Sequence, residues 1–196
     1  PVLNRPVMEY TIELLKKHGI TEVGVTLQYL PEEIKDWFGD GSKWGVSISY
    51  FTEDSPLGTA GSVKNAESFL DDTFIVISGD ALTDFDLGQA ITFHQKKRAI
   101  ATLVLTSVEN PLEYGVVLTH SDNKIDRFLE KPSWGEVFSD QVNTGIYILE
   151  PEVLRYIPAN KFYDFSKNLF PLLLQKKQPV YGCLLKGYWC DIGNMT

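Results

Sequence analysis

FIVISGDALTDFD, residues 74–86, is the stretch whose reading decides the fold. Phe74 to Ser78 is a short continuous apolar run, the pattern of a strand covered on both faces in a parallel sheet. It runs straight into Gly79 and Asp80 and then into further acids. In open α/β sheets ligands bind beyond the carboxyl ends of the strands, so an acid at that point is a candidate site residue. An Asp that only caps a turn is the competing reading.

Upstream, Pro6 suits a first helical position, Met8, Ile12 and Leu15 recur on one face, and Gly19 stops the helix. The strand EVGVTL (22–27), the helix PEEIKDWF (31–38) and the strand VSISYF (46–51) follow, and then a helix over SVKNAESFL (62–70). Downstream, Asp86 with Gln89 resembles a capping box for a helix running to about Arg98, and ATLVLTSV (101–108) is another buried strand. This alternation predicts an α/β fold, Rossmann-like, with a mixed, mainly parallel sheet flanked by helices. After residue 110 three strand-like segments, YGVVLT, KIDRFLE and NTGIYILE, lack long helices between them and predict an antiparallel extension. Pro171 is expected to kink or split the helix over DFSKNLFPLLLQKK (164–177). An open domain of this kind is expected to start with a strand and its phosphate-facing loop, whereas this chain starts with a helix. The expectation is one domain over residues 1–196 that lacks its first strand and glycine-rich loop and is cut short after the closing NMT.

The net charge of −8 lacks the basic footprint of a nucleic-acid binder and points to a small-molecule site, at which a polyanion would need local cations or a metal. No apolar run approaches the roughly 18–20 residues of a membrane span, and no signal-peptide core is present, so the expected location is cytoplasmic, with no nucleic-acid or membrane partner. A homo-oligomer is compatible with the sequence. Cys183 and Cys190 are too few for a zinc site and are expected as reduced thiols. His18, His94 and His120 have no second His or Cys at ligand spacing and are expected on the surface.

Several motifs can carry chemistry. Gly79 would let a backbone approach a ligand, and a single carboxylate at Asp80 facing phosphates suits Mg²⁺, which prefers one or two protein carboxylates plus substrate oxygens. Asp84 to Asp86 spells the DxD pattern of metal-dependent glycosyltransferases, although Asp86 has the simpler task of capping a helix. LGTAGS (57–62) puts two glycines before a helix, where free backbone N–H groups can meet acceptors, or it is simply a glycine-eased loop. In LEKP (129–132) the lysine can contact a phosphate and the acid can accept from sugar hydroxyls, with a surface ion pair as the alternative. Asn143 and Thr144 interrupt an apolar strand with polar groups that need partners, and a ligand hydroxyl is one candidate. Asp191 in YWCDIG sits among aromatic and apolar neighbours, where a carboxylate must be paired, hydrogen-bonded or metal-bound.

PVLNRPVMEY, LGTAGS, the apolar strand ending in Gly-Asp, YGVV, FLEKP, NTGIYIL and GYWCDIG, in that order, together resemble the sugar-1-phosphate nucleotidyltransferases, or NDP-sugar pyrophosphorylases. The likeness is greatest to the bacterial mannose-1-phosphate guanylyltransferase type, including versions fused to a phosphomannomutase-like domain. The resemblance implies the nucleotide-diphospho-sugar transferase fold, an NTP and a sugar 1-phosphate as substrates, pyrophosphate release, and Mg²⁺. By position it makes Asp80 and Asp191 the metal-binding acids and Lys131 the lysine near the sugar phosphate. Gly115, Glu130, Asn143 and Thr144 would line the sugar pocket, and Leu57, Gly58 and Thr59 would form the loop beside the nucleobase. GTP with mannose 1-phosphate is the first expectation, followed by glucose 1-phosphate with UTP, dTTP or ATP. A non-catalytic sugar-nucleotide-binding module and a glycosyltransferase using Asp84 are the competing classes.

Overall fold

The computed structural model describes residues 2–193; the closing NMT lies outside them. Five α-helices, α1 Val7–Lys17, α2 Pro31–Phe38, α3 Gly58–Asn65, α4 Leu87–Lys97 and α5 Phe170–Gln175, alternate with ten strands. These are β1 Glu22–Leu27, β2 Ser47–Thr52, β3 Phe74–Ile77, β4 Ala81–Thr83, β5 Ala101–Ser107, β6 Gly115–Thr119, β7 Ile125–Glu130, β8 Gln141–Leu149, β9 Val180–Leu184 and β10 Trp189–Asp191. The mixed α/β architecture is the one expected, with a smaller parallel share. Among the described residues the parallel pairs are β1 with β2 and β5 with β9. The FIVIS strand, expected beside a parallel neighbour, instead runs antiparallel to β8. It is half-buried along its whole length.

Strand β8 organises the main sheet. One edge pairs with β5; the other is shared, with Val142 facing Val116 of β6 and Ile146 to Leu149 facing β3. The partner therefore changes over Asn143–Gly145, and a fork opens there between β6 and β3. Gly145 has φ of +76°, and a Cβ on it would lie 3.0 Å from the Ser78 side chain, so glycine is required for β3 to begin pairing at this point. On β5 the register shifts between Leu103 and Leu105. Such a bulge takes a backbone group out of the ladder, and the Val104 carbonyl instead accepts the Thr144 hydroxyl at 2.8 Å.

Two apolar clusters cover the sheet, one around Phe165, Leu169, Phe170 and Tyr147, the other around Ile12, Phe85, Leu87 and Ile146. Helix α4 starts as the sequence indicates: Asp86 accepts the Gly88 N–H at 3.0 Å. Gln89 donates from Nε2 to the Asp86 carboxylate instead of accepting the Asp86 backbone N–H, and Asp86 caps Gly88 instead of Gln89, so a simple cap stands where the box was expected. The expected surface position of His94 is overturned. It lies one and two turns after Ala90 and Leu87 on the core stripe, is buried, and bonds Thr102 Oγ1 through Nδ1 at 2.8 Å and Glu150 through Nε2 at 2.9 Å. His120 is exposed as expected, and the two cysteines are free thiols, Cys183 being pushed up to about 11 by burial. Among the described residues no helix is long and apolar enough to cross a membrane.

Pro171 divides its helix as expected. It has no N–H to give to an α-type bond, and the chain before it widens into a π-helical turn, Phe165–Leu169, followed by α5. Turns of this type are enriched at functional sites. The helix containing LGTAGS starts earlier than expected, at Gly58, so its glycines lie in the first helical turn instead of before it.

Candidate active site

Asp80 follows β3 and Asp191 ends β10, and the short antiparallel pair of β10 with β4 sets Asp191 opposite Ala81. Ile192 N–H donates to the Asp80 carbonyl at 3.0 Å, holding the two segments together. A Cβ at Gly193 would lie 2.6 Å from Asp80 Oδ2 and 3.1 Å from Asp191 Oδ1, so both carboxylates border one small space that only glycine leaves open. One oxygen of each acid is engaged: Asp80 Oδ1 by the Ser78 hydroxyl, Asp191 Oδ1 by the Gly193 N–H at 2.8 Å. The second oxygens have no protein partner among the described residues. Two carboxylates with one free oxygen each, exposed or half-exposed, form a donor set that fits Mg²⁺ completed by phosphate oxygens and water. No cluster of three or more potential ligands occurs among the described residues. A protein-only cage for a metal is thus missing from that part of the chain.

The other members of DFD have structural tasks. Asp84 accepts the Tyr188 N–H at 2.7 Å and fixes the turn into β10, and Asp86 caps α4. Gly79 meets no protein atom within contact distance of where a Cβ would stand, so packing does not account for glycine there and the space before it is open.

β10 is docked onto the fork in β8. Trp189 donates from Nε1 to the Thr144 carbonyl at 3.0 Å, and its ring packs edge-on against Tyr114 at 5.2 Å. Tyr114 in turn accepts the Lys131 N–H at 3.1 Å. Through Tyr114 and Trp189 the Lys131 backbone is tied to Thr144 and to the strand that carries Asp191. Lys131 has φ of +44°, a conformation that costs energy in a long side chain and is concentrated at ligand-binding positions. The expected alternative of a Glu130–Lys131 surface ion pair does not form among the described residues. Glu130 is turned inward across β6, where a Cβ on Gly115 would lie 2.8 Å from its Oε2. Glycine at 115 thus leaves room for Glu130 and for the Phe128 ring, 2.7 Å from the same point. Burial pushes the Glu130 carboxyl up from the ordinary glutamate range, and the nearby Ser166 hydroxyl opposes that rise by favouring the ionised form.

Asn143 lies in the fork, donating to the Tyr147 hydroxyl at 2.9 Å and accepting the Gly145 N–H at 3.2 Å. Thr144 departs from its expected role. Its hydroxyl is buried on the Val104 carbonyl of the bulge, so the side chain serves the sheet and is not presented to a sugar. Tyr147, whose hydroxyl is desolvated and pushed up by burial, touches Asn143, as does Ser166, and Trp189 bonds Thr144; the sequence reading singled out none of these three. The missed signal was polar: an Asn four residues before a Tyr inside an apolar strand needs a partner, and the two satisfy each other.

The Leu57–Thr59 loop stands on α3. Of its amides, Leu57 N–H goes to the Glu53 carboxylate at 3.0 Å, while Ala60 and Gly61 share the Tyr163 carbonyl at 3.0 and 2.9 Å. Only Gly58 and Thr59 keep N–H groups without a protein partner among the described residues. The glycines of LGTAG have a packing reason as well. A Cβ on Gly58 or Gly61 would come within 2.8 Å of the Tyr163 or Lys161 carbonyl.

Comparison with known proteins gives the family. Residues 1–196 match the profile of the family described as Nucleotidyl transferase. The chain belongs to that family. A UTP–glucose-1-phosphate uridylyltransferase of Synechocystis is 43% identical over all of this chain and 54% of its own length. Mannose-1-phosphate guanyltransferase of Candida albicans is 37% identical over 97% of this chain and 53% of its own length. The Mycobacterium tuberculosis mannose-1-phosphate guanylyltransferase is 35% identical over 99% and 54%. The chain therefore spans about half the length of the curated relatives it matches. Among solved structures, a Bacillus anthracis protein in complex with a sucrose superposes with a TM-score of 0.88 at 26% identity, covering 99% of this chain and 80% of that one. UDP-glucose pyrophosphorylase superposes at 0.82 with 18% identity over 99% and 84%, a likeness of fold alone.

Proposed function

We propose that the protein carrying this chain transfers a nucleotidyl group from an NTP to a hexose 1-phosphate, releasing pyrophosphate. The observation that carries this reading is the convergence of Asp80 and Asp191 on the space before Gly193, with the Lys131 backbone tied through Tyr114 and Trp189 to the same strand β10. Asp80 and Asp191 would hold Mg²⁺, which when bound offsets negative charge on two phosphorylated substrates that a chain of net charge −8 cannot neutralise by itself. Lys131, a compact point charge, would bind the sugar phosphate and orient its oxygen toward the α-phosphorus. Glu130 and Asn143 would accept from and donate to sugar hydroxyls, and the Gly58 and Thr59 amides would meet acceptors on the base. No side chain in this set needs to become a covalent intermediate, so positioning and electrostatics supply the rate. A cytoplasmic site of action belongs to the same reading.

GTP with mannose 1-phosphate and UTP with glucose 1-phosphate are the two pairs the relatives' names support, and the relative at 43% identity favours the second. A pyrophosphate-release screen of the whole protein with GTP, UTP, dTTP and ATP against both sugar phosphates, with Mg²⁺ and with chelator, tests the proposal. Release with one pair, abolished by chelator, is expected. Silence with every pair would overturn it.

A further inference from the structure

The segment 163–167 touches both halves of the site, and one carboxylate in it makes the junction. Asp164 accepts the Thr59 hydroxyl on Oδ2 at 2.9 Å, and on Oδ1 the Ser166 and Lys167 amides at 2.8 and 3.0 Å. The Thr59 oxygen in turn accepts the Phe165 N–H at 3.0 Å, closing a ring between the LGT loop and the π-helical turn. Two backbone contacts lace the same pair of segments: Tyr163 N–H to the Leu57 carbonyl at 2.7 Å, and the Ala60 N–H to the Tyr163 carbonyl. On its other side the turn presents Ser166, whose Oγ lies 3.5 Å from Asn143 Nδ2 and favours the ionised form of Glu130. Phe165 packs on the ring of Tyr147, the residue that holds Asn143.

An ordinary helix cap needs only the two amide bonds, which a serine would supply as well. The Thr59 bond is additional, and it reaches a residue 105 positions away. We propose that Asp164 is a positioning residue that couples the two substrate subsites: it fixes the nucleobase loop at Thr59 and the sugar face at Ser166 through one rigid turn, so that filling either end orders the other. The inference rests on the nucleotidyl-transfer reading for the identity of the two ligands.

The test uses the whole protein and three variants. Thr59→Val removes the bond to Asp164 from the loop side, Asp164→Ser keeps the cap but is too short to reach Thr59, and Ser166→Ala alters only the sugar face. Thr59→Val is expected to raise KM for the sugar 1-phosphate, and Ser166→Ala KM for the NTP, each by about fivefold, the low end of ordinary coupling between sites. Asp164→Ser is expected to raise both, and adding Thr59→Val to it should raise them no further. A cap with no further role would leave both KM values of Asp164→Ser unchanged. Thr59→Val changing only the NTP KM would overturn the coupling just as clearly. Hydrogen exchange gives a readout that does not depend on turnover. In the wild type, NTP alone is expected to slow exchange in 163–167, and sugar 1-phosphate alone in 57–61, with both effects lost in Asp164→Ser. Wild-type protein silent in the pyrophosphate screen but showing this mutual protection would sink the activity and keep the coupling. Turnover without mutual protection would do the reverse.

Discussion

The two ends of β8 carry similar side chains and treat them in opposite ways. At the Glu150 end, a cavity of about 410 Å³ is lined by His94, Arg98 and Glu150 among others. There both His94 nitrogens are engaged, and Glu150 Oε1 also accepts the Thr73 hydroxyl at 2.9 Å. Toward the Asn143–Gly145 end, one oxygen each of Asp80 and Asp191 has no protein partner among the described residues, and the Lys131 ammonium and the Gly58 and Thr59 amides likewise have none among them. Titratable groups alone do not distinguish a site from a structural network. What distinguishes them is whether the protein has already met its own polar demands.

The largest expected break in that comparison is at the open end. Asp80→Asn and Asp191→Asn should each cost about 10²–10³ in kcat, the scale of losing one preorganised electrostatic partner, with Tm close to wild type. Asp84→Asn, by contrast, touches a carboxylate spent on Tyr188 and should leave the Mg²⁺ dependence of turnover unchanged. Steady-state assays of the three variants decide it, and metal dependence lost at Asp84 but kept at Asp80 would reverse the assignment.

The closed end should respond in stability. Glu150→Ala leaves His94 and Thr73 without their acceptor, at a cost of about 1–3 kcal/mol. For a protein of this size that is a Tm fall of about 2–4 °C per kcal/mol, with kcat at 25 °C as in the wild type. Thermal unfolding beside a turnover assay reads both, and a loss of activity at unchanged Tm would make the two ends alike.

Glu130 stands between these cases, since it is half-buried and yet at the site. Its folded-state pKa is raised by burial, so the native state binds the proton more tightly than the unfolded chain. Its contribution is therefore most favourable at low pH and is lost as pH rises from the ordinary glutamate value through the raised one. Glu130→Gln should flatten the fall in Tm across that window and raise Tm at neutral pH while raising KM for the sugar phosphate. A Tm profile parallel to wild type would remove burial as the cause.

The smallest effect belongs to a structural acid on the surface. Asp86→Ala deletes the α4 cap and should cost about 1 kcal/mol in denaturant unfolding, without any change in KM.

Much of this was legible in the residues because it is local. EVGVTL and PEEIKDWF form their elements without adjustment, since strand alternation, Pro at the helix start and Gly at its end act over a few residues. Asp86 as a cap and Pro171 as a divider rest on the same short-range chemistry. His94 and Thr144 were misread for a shared reason: each side chain is satisfied by a group far along the chain, Glu150 and the bulged Val104 carbonyl. The motif order pointed to Asp80 and Asp191 as partners, whereas the space they border at Gly193 appears only when β10 lies against β4.

By itself, the sequence determined the periodicities, the caps and breakers, and the supply of acids at strand ends, because these depend on neighbours within about one or two turns. Only the tertiary structure decided which polar groups were left over. Partner choice across 105 residues, as between Thr59 and Asp164, or across the fork where β8 exchanges β6 for β3, depends on which segments the packed core brings within hydrogen-bond reach.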